Sequence, residues 1–218
     1  DMCCNTPETC TRICRKQPAA VFVDQVREIC GFGLSDVPRA PVVNHTINTE
    51  IMPLVYHGSR RAHVLRNEAF ALPLPDLVNF RRGRLRFPDR AALCAHYRIP
   101  VDTQIILTGV NLDHRIEPWW RLGERRVQVI EEMRRIGIDL VTTPNFSVAL
   151  DQPRTDDMHA IKRILVTFAE FASGGIACAL HPNGRTERDF ERWGDEIAAR
   201  PEITTLAYEF ITGPGRKA

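Results

Sequence analysis

The chain has 218 residues, of which 44% are hydrophobic, 26% charged and 7% aromatic, and it carries a formal net charge of +2. That length fits one domain or one domain with a small appendage, and the apolar share suffices for a sizeable core. A charge so close to zero does not by itself imply a nucleic-acid partner, and the absence of any run of about 18 apolar residues excludes a membrane-spanning helix.

The N-terminus has no basic stretch followed by an apolar one, so no signal peptide is expected and the expected location is cytoplasmic. The seven cysteines then read as ligands or reduced thiols rather than as a disulfide framework. Five of them, Cys3, Cys4, Cys10, Cys14 and Cys30, fall in residues 1–36. Between Cys14 and Cys30 the positions of Val21, Phe22, Val26 and Ile29 fit one face of a helix. Four thiolates complete either a tetrahedral zinc site or a cubane cluster. The set Cys4, Cys10, Cys14 and Cys30, with Cys3 able to replace Cys4, contains one zinc-type knuckle, Cys10/Cys14. Iron–sulfur centres accept looser spacing, so a [4Fe–4S] cluster is the first expectation, zinc the second and buried reduced cysteines the third.

Residues 37–100 are rich in Pro and Arg. They hold a strand candidate, IMPLVYHG, and a helix, DRAALCAHY, begun by Pro88 and Asp89. Arg60, Arg61, Arg66, Arg81, Arg82, Arg84, Arg86 and Arg90 crowd this zone. They form either a solvated basic face or a surface for an anionic partner such as phosphate or nucleic acid.

A regular rhythm begins at residue 100. TQIILTGV reads as a strand, Trp119 to Arg135 as a helix ended by Gly137, and IDLVTT as the next strand. A helix from Asp157 to Ser173, the strand IACALH, the helix TERDFERWGDEIAAR and the strand ITTLAYEFIT follow. The strands are continuously apolar, as a parallel sheet buried on both faces requires. The expected fold is α/β: a partial or complete TIM-barrel-like parallel sheet of βα repeats over residues 37–218, plus the Cys-rich metal-binding segment. A closed barrel typically needs about 250 residues, so a shortened barrel, an open sheet and a C-terminally truncated chain all fit.

Polar residues gather after each strand: Asp113, His114, Arg115 and Glu117; then Asn145, Ser147, Asp151 and Arg154; then His181, Asn183, Arg185 and Glu187; then Glu209, Thr212 and Arg216. α/β folds build their sites at these C-terminal strand ends. Taken singly, each has a structural alternative, such as a helix cap for Asp113 or a turn for His181-Pro-Asn-Gly. Glu209 lies among apolar residues, where a carboxyl unpaired by a cation suits acid–base work, or where a salt bridge to Arg154 or Arg185 holds it. Asp113 with Glu209 would make the carboxylate pair of glycosidic cleavage. With His114 and His181 they could instead hold a divalent metal that activates water. Of Trp119 and Trp120, one is expected in the core, and Trp120 is the candidate to stack on a base or sugar face.

TTPNFSVALDQPR, HPNGRTERDFERW and YEFIT together resemble a family of bacterial, plasmid and phage proteins that is defined as a domain of unknown function. The resemblance spans about residues 1–212, rests on the PNFS…PR motif and implies a phage or mobile-element context; it supplies no catalytic residues. The layout is also loosely similar to the barrel of tRNA-guanine transglycosylases, although their zinc motif is not matched.

The leading expectation is therefore an enzyme that cleaves or exchanges a glycosidic bond on a nucleotide or nucleic-acid base. Glu209 or Asp113 is its expected acid or nucleophile; Asn145, Arg154, His181, Asn183, Arg185 and Trp120 position substrate. A metal-dependent hydrolase and a non-catalytic nucleic-acid-binding accessory protein are the alternatives.

Overall fold

The computed structural model describes residues 20–58, 62–149 and 152–209, with the side chains of residues 20–23 left aside. In chain order the elements are α1 (Ala20–Glu28), β1 (Ala69–Pro73), α2 (Leu74–Leu77), β2 (Val78–Asn79), β3 (Arg84–Leu85) and α3 (Arg90–Tyr97). Then come β4 (Gln104–Thr108), α4 (Asp113–Arg121), α5 (Arg125–Arg135), β5 (Leu140–Thr142), α6 (Arg154–Ser173), β6 (Cys178–Ala179) and α7 (Glu187–Ala199).

Strands β1, β4, β5 and β6 form one parallel sheet in sequence order, and β2 and β3 form a separate antiparallel hairpin. Parallel bridges from Leu54 to Ala71 and from Leu206 to Leu180 lay one more segment against each edge. The order never reverses, which separates this sheet from doubly wound folds. The α/β class and the largely parallel sheet agree with expectation.

Period-two alternation divides the sheet's side chains between two cores. Phe70, Leu72, Ile105, Leu107, Val141, Cys178 and Leu180 enter the large core, which also takes the apolar faces of the helices. Ala69, Ile106, Leu140, Ala177 and Ala179 enter a small second core, to which no helix among the described residues contributes. The described helices that pack on the sheet therefore lie on one side. The other side carries mostly small residues, and Val43, Ile47 and Met52 of an extended segment pack there. Gln104 clamps that segment through both ends of its amide, donating to Thr46 O at 2.6 Å and accepting from Asn48 N at 3.1 Å.

α6 is buried around nearly its whole circumference, which makes it the central helix of the large core. Its Arg163 guanidinium meets the Glu117 carboxylate at 2.8 and 3.1 Å and lies 4.1 Å over the Phe146 ring. Residues 24–37 share this core through Val26, Ile29, Phe32, Leu34 and Val37. Gln25 and Glu28 reach α6 at Asp156 and His159, and Arg200 donates to the carbonyls of Leu34 and Val37.

Four expectations change in detail. AFALP, inside the Pro/Arg-rich zone, is a strand, whereas IMPLVYHG contributes only the bridge at Leu54. The helix expected from Trp119 to Arg135 is two helices, α4 and α5, parted at Gly123, whose φ of +57° is left-handed. α6 starts at Arg154 rather than Asp157. ITTLAYEFIT pairs only at Leu206 among the described residues.

Candidate functional site

Residues at the C-terminal strand ends bind one another before they bind anything else. Thr142 Oγ1 accepts from Gly109 N at 2.8 Å, and Thr143 Oγ1 accepts from His181 N at 2.9 Å. Asn145 Oδ1 accepts from Asn111 N at 3.0 Å, while Asn183 Nδ2 donates to Phe146 O at 3.1 Å. Asn145 and Asn183, expected to position substrate, instead use these side-chain atoms to tie neighbouring strand-end loops.

Two buried carboxylates hold the loops after β5 and β6 together. Asp189 accepts both guanidinium nitrogens of Arg154, one of them at 2.8 Å, and the backbone N–H groups of Arg185 and Thr186, each at 3.0 Å. Asp157 accepts from Arg185 at 3.0 Å, Gln152 at 2.6 Å and Ala149 N at 3.1 Å. Both carboxylates are fully buried. Burial pushes the Asp189 pKa up, but Arg154 and the two backbone donors outweigh it and hold the group at about 2. Arg154 and Arg185, expected to position substrate, pair with these internal carboxylates.

His181 is different. It closes the strand end after β6, is only 6% exposed, and neither ring nitrogen has a hydrogen-bond partner among the described residues. Burial lowers its pKa below the ordinary 6.5, with its own backbone and the charge of nearby Glu209 offsetting part of this, so the ring is neutral at pH 7. The Tyr208 ring lies parallel to it, within 8° and at 6.3 Å between centroids. Tyr208 is 60% exposed. It is the residue sequence reasoning missed; its alternation with Leu206 in an aromatic-bearing strand was the available signal.

Glu209 is half-buried beside these two, just past the edge bridge. Asp113 is exposed at the start of α4, where its carboxylate accepts from Ser147 Oγ at 2.5 Å. β4 and the Leu206 segment are separated by β5 and β6. Three strand spacings of roughly 4.8 Å each make roughly 14 Å along a flat sheet, wider than the roughly 5–9.5 Å of a glycosidase carboxylate pair. Only curvature of the sheet can bring Asp113 toward Glu209, so His181 is the nearer partner of Glu209.

Trp119 and Trp120 are both buried. Trp120 packs edge-on against Phe146 and His159, with the guanidiniums of Arg126 and Arg163 at 4.3 and 5.6 Å from its ring. The Trp120 ring, expected to stack on substrate, packs here inside the protein, and Tyr208 has the exposed ring.

Of the expected metal ligands, Cys3, Cys4, Cys10 and Cys14 lie outside the described residues, as do Asp151, Thr212 and Arg216. Cys30 is exposed and follows α1 with a left-handed φ of 55°. Buried Lys162 of α6 lies near Cys30 and 3.9 Å from Asp36; burial lowers its pKa and the two acidic groups oppose that shift. Cys94 and Cys178 are buried in the core, as expected for lone cysteines. Among the described residues no three His, Cys, Asp or Glu side chains converge as a metal site, and no helix is long and apolar enough to cross a membrane.

Asp189→Ala and Arg154→Ala should each cost about 3–5 kcal/mol, because each breaks a buried, bidentate ion pair. Urea denaturation of both and of the double variant should give a coupling energy above about 1 kcal/mol; strict additivity would contradict the pairing. Since the Asp189 pKa is depressed, its stabilisation is full above the unfolded value of 3.8 and is lost as pH falls toward about 2. The gap between wild type and Asp189→Ala should narrow over that window. No family model, no curated protein and no solved structure matches the chain.

Proposed function

We propose that the parallel sheet is the wall of a TIM-barrel-like enzyme whose active site lies at the C-terminal strand ends, and that it cleaves or exchanges the glycosidic bond of a nucleotide or nucleic-acid base. The observation that carries this reading is His181: a buried, neutral imidazole whose ring nitrogens have no hydrogen-bond partner among the described residues, beside a carboxylate and an exposed aromatic ring. Unsatisfied buried polar groups are costly, and perturbed titratable groups beside a strand end mark functional sites. The unreversed strand order and single helical side support the barrel.

In this reading His181 takes the proton from the attacking water or acceptor hydroxyl as the new C–O bond forms and the C–N bond breaks, and that proton passes to the departing base nitrogen, releasing the neutral base. The Glu209 carboxylate faces the positive charge that develops on the sugar ring as the bond to the base breaks. Tyr208 stacks on the base, and Asp113, held by Ser147, lines the opposite rim. The mobile-element context rests on the PNFS…PR resemblance.

The test is release of free base from nucleosides, nucleotides and oligonucleotides, followed by chromatography. Wild type should release base from at least one class. Glu209→Gln and His181→Gln should each lower the rate about 10²-fold or more, with a smaller loss in Asp113→Asn. If Glu209→Gln and Asp113→Asn both keep full activity, or if no class yields free base, the assignment is wrong.

We also propose that Cys4, Cys10, Cys14 and Cys30, with Cys3 as an alternate, hold a metal centre that pins the N-terminal segment near α6. A [4Fe–4S] cluster is the first candidate and zinc the second. Anaerobically purified protein should be brown and carry iron, or be colourless with about one zinc per chain. Loss of the metal in Cys10→Ser with Cys14→Ser is expected; metal-free wild-type protein would overturn the proposal.

A further inference from the structure

We infer that the β2–β3 hairpin and the first turn of α5 form a docking surface for the phosphate backbone of a nucleic acid, which would make the substrate of the proposed strand-end site a polynucleotide rather than a free nucleoside. The inference deepens the reading above and rests on it for the reaction alone.

Three side chains of the hairpin tip, Arg81, Arg82 and Arg84, are exposed, and so is Arg125 at the start of α5. Gly83 joins the two elements. Its φ of +62° turns the chain, and a Cβ there would sit 3.1 Å from the Arg125 side chain. The arginines of the hairpin and of α5 are therefore neighbours. None of the four guanidiniums makes a hydrogen bond or a salt bridge within the described residues; the acidic residue nearest in sequence, the α5 N-cap Glu124, is exposed and forms no ion pair with Arg125. Two other arginines of the same zone, Arg86 and Arg90, are spent on backbone carbonyls. Arg90 donates to the carbonyl of Val101 at 2.8 Å, and Arg86 donates to Val78 O at 3.1 Å.

The backbone carrying these charges is fixed. Asn79 O accepts from Arg82 N and Gly83 N at 3.1 and 2.9 Å, and Asn79 Oδ1 accepts from Arg82 N at 3.1 Å. Glu132 of α5 accepts from Leu85 N at 2.7 Å. A rigid platform loses little backbone entropy when it binds. A guanidinium matches the phosphate oxygens with two parallel donors, and a row of them follows a polyphosphate backbone better than a single anion.

Topology places the patch on the correct side. α5 leads into the start of β5, so its N-terminal turn lies toward the opposite, C-terminal end of the strands, where His181 and Asp113 are found. The hairpin carries no exposed large apolar residue, and the first turn of α5 carries one, Val127, too small an apolar face for a lipid surface.

The test is fluorescence anisotropy of the full chain with labelled single-stranded and duplex DNA across a potassium chloride series. Wild type should bind with log K falling linearly against log salt. Arg81→Ser, Arg82→Ser, Arg84→Ser and Arg125→Ser combined should weaken binding at least about tenfold at about 0.1 M salt and flatten the slope by roughly 2–3. The control Arg134→Ser with Arg135→Ser, exposed at the other end of α5, should keep the wild-type slope. Absence of wild-type binding overturns the inference. So does an unchanged slope in the quadruple variant, an equal loss in the control, or polyglutamate competing as well as DNA. Because binding is read directly, a chain that binds through these arginines but releases no base leaves this inference standing and removes only the glycosidic reading.

Discussion

The fold's strand-end architecture depends on two carboxylates that have no access to water. Asp157 and Asp189 are fully buried, and isolated charges in that setting would be strongly destabilising. Each is satisfied by an arginine reached across a loop: Arg185 for Asp157, and Arg154, from the start of the same helix as Asp157, for Asp189. The loop after β5 is thereby fastened to the loop after β6, and the start of α6 to the start of α7. Trp193 adds a donor from α7 to Asn183 O at 2.8 Å. The PNFS…PR and HPNGRTERD segments are the two halves of this latch. What reads in the sequence as a row of substrate ligands is first a set of ties that fixes where His181, Tyr208 and Glu209 stand.

The same principle runs through α6. A helix buried around nearly its whole circumference turns few of its polar residues outward, so its cations and carboxylates find partners on other elements. Arg163 meets Glu117 of α4, Glu170 meets Arg126 of α5 and His159 meets Glu28 of α1. Burial lowers the His159 pKa, the charge of Arg163 adds to that, and Glu28 and Glu117 oppose it. α6 thus orients its neighbours through charge pairs as well as through apolar packing. On the far side of the sheet the requirement is spatial. Alanines at positions 69, 177 and 179 let an extended segment lie close, and the Gln104 amide fixes it there.

The strongly periodic helices and the apolar runs were legible in the sequence because they carry their own signal. Asp89 caps α3 by accepting from Ala92 N at 2.8 Å, and α7 opens with a capping box at Thr186 and Asp189. β1 was hidden because AFALP is short, ends in proline and sits amid arginines. The edge segments at Leu54 and Leu206 were overread because an apolar run does not reveal how few of its residues find a partner. The site was legible in its location and not in its roles. Arg154 and its partner Asp189 are 35 positions apart, and nothing in either residue's surroundings announces the pairing. Asn145 and Asn183 likewise look like ligands until their loop contacts are known. His181 stands out in the sequence only as one polar residue among several; its unpartnered burial is a tertiary property.

The claim on which the account turns is that ligands meet this protein at the C-terminal strand ends. Amide and imidazole chemical shifts recorded while a short oligonucleotide is titrated into the full chain test it most directly. Shifts should move at His181, Tyr208 and Glu209 together with Arg81, Arg82 and Arg84. Shifts confined to the opposite end of the sheet, at Thr46, Gln104 and Asp139, would contradict it.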